Sequence, residues 1–68
     1  MNRADLIARD KRIEKLARGL SLEVTLWRTC GGPIREDDRL EYMKQIGDAI
    51  TALEKARFVL EKMLQSMA

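Results

Sequence analysis

The sequence contains no histidine, a single cysteine, a single proline, and one each of tryptophan, tyrosine and phenylalanine among its 68 residues. Each scarcity excludes something. One cysteine cannot close an internal disulfide, and without histidine it cannot complete a Cys/His metal cage. No histidine is present to act as a general base or to activate Cys30, which removes the commonest routes to acid–base and nucleophilic catalysis. No apolar run approaches the roughly 20 residues of a membrane span, and Met1 to Asp5 lack the apolar stretch of a secretory signal, so the expected address is the cytoplasm. Charged residues make up 35% and hydrophobic residues 46% of the chain, with a net charge of +2, the balance of a helix-rich globular protein. A chain this short buries about 60% of its unfolded surface, and one core of that size rarely supplies more than ~3–5 kcal/mol. With disulfide and metal excluded, self-association is the expected source of further stability.

What is present is periodicity. The only punctuation is Cys30, Gly31, Gly32 and Pro33, where the glycines permit a left-handed or extended backbone and the proline bars a preceding helix from continuing. In the first arm Leu6, Ile13, Leu20 and Trp27 recur every seven residues, with Leu16, Ala17, Val24 and Cys30 on adjoining positions of that face. The spacing predicts a helix over about 3–29, opened by Asn2 with Asp5 as the acidic partner of a capping box and stopped by Gly31. Residues 20–26 alternate apolar and polar as a half-buried strand would. The seven-residue phase set by Leu6 and Ile13 nevertheless runs on through Gly19 to Trp27, which favours helix.

The second arm predicts a helix over about 36–66. Asp38 and Glu41 stand at capping-box spacing, and the acids Glu36, Asp37 and Asp38 suit the positive end of a helix dipole. Its seam is Ile46, Leu53, Leu60 and Met67, beside Met43, Ile50, Arg57 and Leu64. A third column, Tyr42, Ala49, Ala56 and Met63, widens the apolar stripe beyond what one partner helix covers. The expected architecture is all-α: a single domain over residues 1–68, an antiparallel two-helix hairpin with a turn over 30–35 that dimerises into a four-helix bundle. Leu20, Trp27, Ile46, Ile50, Leu53, Leu60 and Leu64 are expected at the dimer core. Arg57 reads either as snorkelling to the bundle edge or as a pairing determinant across the dimer.

No constellation points to catalysis, a metal or a cofactor. Cys30 is expected to close the hairpin end as a small apolar residue. The glycines around it lack the Gly-x-x-x-x-Gly-Lys-Ser/Thr frame of a phosphate loop, and consecutive Glu36, Asp37 and Asp38 point in different directions on a helix. The outward residues are more informative. Lys11, Arg12, Lys15 and Arg18 are spaced to stack along one side of the first helix, and the arm up to Cys30 has seven basic residues against four acidic ones. Leu22 and Leu26 follow along that side, opposite the core stripe, as Val59 does on the second helix with Phe58 at its flank. Apolar side chains there call for a larger oligomer or a partner. These eight residues are the expected partner-binding set. A protein surface is the first expectation for that partner and nucleic acid the second; neither a membrane nor a small-molecule substrate is expected.

With Trp27 ahead of Thr29, Cys30, Gly31, Gly32 and Pro33, and Asp48, Ala49, Ile50, Ala52, Leu53, Glu54, Ala56 and Arg57 beyond the turn, the layout resembles the small early-region proteins of Mu-like transposable phages. That group includes the quorum-sensing anti-activator family. The resemblance implies a compact helical dimer that binds a host protein as a non-catalytic inhibitor or regulator. Plasmid copy-number regulators of the Rop type are similar in architecture and imply RNA binding instead. The chain departs from them in its loop and in the aromatic placement on its first helix.

Overall fold

The computed structural model describes residues 1–29 and 32–67, which form two helices, α1 (Arg3–Thr29) and α2 (Glu36–Ser66). α1 opens on a reciprocal capping box. The Asp5 amide donates to Asn2 Oδ1 at 2.9 Å, and the Asn2 amide donates back to Asp5 Oδ2 at 3.2 Å, so two N–H groups with no intrahelical acceptor are satisfied. The alternating segment 20–26 is helical throughout. There the Thr25 hydroxyl donates to the Ser21 carbonyl at 3.1 Å, a bond that needs the helical turn beneath it.

α2 begins without a side-chain cap. Its N-cap is Arg35, in extended backbone, so the capping box expected from Asp38 and Glu41 does not form. The helix starts at Glu36, which places Asp38 inside the first turn instead of ahead of it. Glu36, Asp37 and Asp38 then act through their charge on the exposed N–H groups, and Glu41 accepts from Gln45 Nε2 at 2.9 Å. In the connection, Gly32 has φ 116°, a conformation that favours glycine and lets the chain reverse ahead of Pro33. The expectations for Cys30 and Gly31 lie outside the described residues.

The helices lie against each other as a hairpin, pinned from end to end. Near the turn, the Arg39 guanidinium on α2 donates to the carbonyls of Trp27 at 3.1 Å and Arg28 at 3.4 Å, at the C-terminus of α1. At the far end Arg3 on α1 donates to the Leu64 carbonyl of α2 at 3.4 Å. Each helix thus receives a cation at its negative end from the other. Between these ends Arg57 spans to Asp10, its Nε donating to Oδ1 at 3.0 Å and its Nη2 to Oδ2 at 3.4 Å, with Glu14 Oε2 at 3.6 Å. Arg57 is therefore an intrachain bridge, neither a free snorkelling side chain nor dependent on a second copy for its partner.

The interior is thin. Leu6, at 6% exposure, is the one buried apolar side chain among the described residues. Ile13, Ala17, Leu20, Val24 and Trp27 of α1, and Ile46, Ile50, Leu53, Leu60 and Leu64 of α2, are half-buried. The Cα radius of gyration is 15.8 Å, against about 11 Å for a compact domain of this length. Leu16, expected on the core face, is instead 56% exposed. Ten residues after Leu6, at 100° per residue, it has turned 80° away from the line facing α2. Met67, the last member of the expected seam, is also 45% exposed, at the very end of α2.

Candidate interaction surfaces

Two parallel rods leave two flanks, and their chemistry differs. On one flank a groove runs between the helices over Ile13, Ala56, Val59, Leu60 and Met63, edged by Arg9 and Arg12. It continues past Arg12 over Leu16, Gly19, Leu20 and Leu53, edged by Lys15. The opposite flank is polar at the same height, with Asp10, Glu54, Arg57, Phe58 and Glu61 around a shallow depression.

The eight residues expected to form one partner surface are divided by this arrangement. Arg12, Lys15 and Val59 belong to the groove. Arg18 turns to the other side, where its guanidinium meets Glu14 at 2.6 Å. Phe58 also lies on the polar flank, with the Lys62 ammonium 4.7 Å from its ring centroid, a cation–π contact that partly covers it. Leu22 and Leu26 stand on the outer side of α1, 61% and 50% exposed, one turn apart, and Lys11 is exposed on the same helix. Val59 is thus a groove residue and not, as the sequence suggested, one lying opposite the core. Leu16, Ala56 and Met63 are groove residues that the sequence reading placed among core columns. The signal for them was the breadth of the apolar stripe, which states that some column lacks cover but not which.

The turn-proximal end carries a third arrangement. Trp27, half-buried, stacks on Tyr42 with ring centroids 4.8 Å apart and planes tilted by 40°. Its indole N–H donates to Glu23 Oε1 at 2.8 Å, and the Tyr42 hydroxyl donates to the same oxygen at 3.1 Å. One carboxylate thus organises both rings. The hydrogen bond to Glu23, helped by partial burial and by the carboxylate's charge, holds the Tyr42 phenol above its ordinary 10.0. On the polar flank the Arg57 guanidinium is raised above its ordinary value by its hydrogen bond to Asp10, against a smaller opposing effect of burial.

No family model, curated protein or solved structure matches the chain. The surfaces must therefore be read from their own chemistry. Among the described residues no three His, Cys, Asp or Glu side chains are placed to hold a metal ion, and neither helix is long and apolar enough to cross a membrane. The arrangement offers stacking, apolar cover and charge. It can bind.

Proposed function

We propose that the protein is a non-enzymatic binding module of the cytoplasm, a helical hairpin that pairs with a second copy into a four-helix bundle and acts as a small inhibitor or regulator by occupying the surface of a host protein. The observation that carries this reading is the pair Leu22 and Leu26. Both side chains are at least half exposed, on the side of α1 turned away from α2, with Lys11 and Lys15 on the preceding turns. Neither hairpin packing nor cover over the groove reaches them. Adjacent apolar side chains left in water within a cationic border suit an acidic-rimmed protein surface, where the leucines supply desolvated area and the lysines steer the encounter. The layout's resemblance to small phage early-region proteins supports a host protein as the target.

The test compares the parent with Leu22→Asp and Leu26→Asp as bait in affinity capture from the native host, followed by mass spectrometry. Loss of the same host protein from both variants, with helicity and oligomer size unchanged, is expected. Undiminished recovery would remove the surface from consideration. A Rop-type RNA-binding role would use Lys11, Arg12, Lys15 and Arg18, and predicts affinity that falls steeply with salt. A mobility shift at low salt that Lys11→Glu abolishes and Leu22→Asp leaves intact would establish that role in place of protein binding.

A further inference from the structure

The groove flank leaves apolar side chains of both helices uncovered, and we infer that a second copy of this chain covers it, antiparallel, about a two-fold axis passing beside Leu16 and Ala52. This rests on the homodimer proposed above and specifies which face pairs and in what register. The hairpin spans 52 × 14 × 14 Å between Cα atoms. One whole face of 52 by 14 Å, the groove together with its polar surroundings, approaches the ~800 Å² that stable interfaces take from each partner. Leu16, Val59 and Met63 lie on it at 56%, 48% and 44% exposure.

Charge then decides between the two ways of laying one hairpin on another. The cross-helix contacts set the levels within one chain: Asp10 lies beside Arg57 and Glu23 beside Tyr42, so Arg12 stands level with Lys55, and Leu16 with Thr51, next to Ala52. At 100° per residue, Arg12 and Glu23 fall on the groove edge of α1 and Asp48 and Lys55 on that of α2. A two-fold along the helices would set α1 over α2 of the other copy at equal height. Arg12 would then face Lys55, and Glu23, level with Tyr42, would fall beside Glu41, like against like. A two-fold across the helices sets α1 on α1 and α2 on α2, running oppositely. Leu16 then meets its own copy, Arg12 approaches Glu23 of the other chain, and Asp48 approaches Lys55, each pair occurring twice, against one like pair where Lys15 nears its own copy at the groove edge. The small side chains Ala49, Ala52 and Ala56 fall where the two α2 helices cross, which permits close approach.

The test uses the full chain with Cys30→Ser, carrying one new thiol at a time: Leu16→Cys, Ala52→Cys or, on the outer side, Leu22→Cys. Native mass spectrometry gives the oligomer, and mild oxidation followed by non-reducing electrophoresis gives the contact. A dimer that cross-links at positions 16 and 52 and not at 22 is expected. A monomer at tens of micromolar would overturn the homodimer itself, and with it this register. A dimer that cross-links at neither 16 nor 52 would overturn the register alone. Charge exchange supplies a readout that does not depend on a buried thiol. Lys55→Asp should weaken the dimer about tenfold because symmetry counts each exposed pair twice, and Asp48→Lys added to it should restore most of the loss. A double variant as weak as the single would exclude this pairing.

Discussion

Replacing Gly47 with alanine should stabilise the protein by about 1 kcal/mol, the propensity difference between the two residues inside a helix. Nothing offsets it. A Cβ built on Gly47 meets no atom within 4 Å, and among the described residues positive φ occurs only at Gly32. For a chain of this size the gain corresponds to a rise in melting temperature of roughly 4–8 °C, read by circular dichroism and cross-checked by the urea midpoint at constant m-value. Gly19 provides the contrast. Within one chain it is equally open, but it lies in the groove beside Leu16 and Leu20, where the proposed second copy would bring its own Leu16 close. Gly19→Ala should therefore fall short of the gain at Gly47, and the shortfall should shrink as the sample is diluted below the dimer's dissociation constant. A Gly47→Ala protein with no gain in stability would show that α2 is not a regular, unobstructed helix at that point, and would refute the reasoning.

Two further outcomes follow from the caps and rings. Asn2→Ala removes the acceptor for the Asp5 amide and should cost about 1 kcal/mol in urea denaturation; an unchanged midpoint would mean that the box is not populated in solution. Tyr42 titrates higher in the folded chain than its ordinary 10.0, so its stabilisation is complete below that pH and is lost as pH climbs through the raised value. The melting temperature of the parent should fall more steeply above pH 10.0 than that of Tyr42→Phe. The tyrosinate absorbance of the single tyrosine reports the same titration directly, and equal slopes for the two proteins would count against the Glu23 contact.

The helices were legible in the sequence because heptad spacing is a property of one rod: Leu6, Ile13, Leu20 and Trp27 can share a face only on a helix. The same holds for Asn2 and Asp5, three residues apart, whose side chains reach each other's amides without help from the rest of the chain. The cap of α2 was less legible, since Asp38 and Glu41 have the spacing of a box but the helix begins two residues earlier. What the pattern could not disclose is how one rod sits on the other. A broad stripe on α2 shows that some column is uncovered, but only the levels set by Asp10 with Arg57 and Glu23 with Tyr42 reveal that Ala56, Val59 and Met63 share a flank with Leu16. Arg39 and Arg3 were unreadable for a related reason, because their acceptors are backbone carbonyls of the other helix and a carbonyl leaves no trace in residue type. The candidate surface suffered most: four basic residues that stack in projection are separated once Arg18 is drawn to Glu14.

The crossed arginines at the two ends have a bearing on how such a slender molecule comes apart. A helix tip ordinarily frays by itself, one turn at a time. Here loosening the first turn of α1 withdraws Arg3 from the last carbonyls of α2, and loosening the first turn of α2 withdraws Arg39 from those of α1. The tips therefore open in couples, one couple at each end, and melting at either end starts as an event shared by both strands of the hairpin.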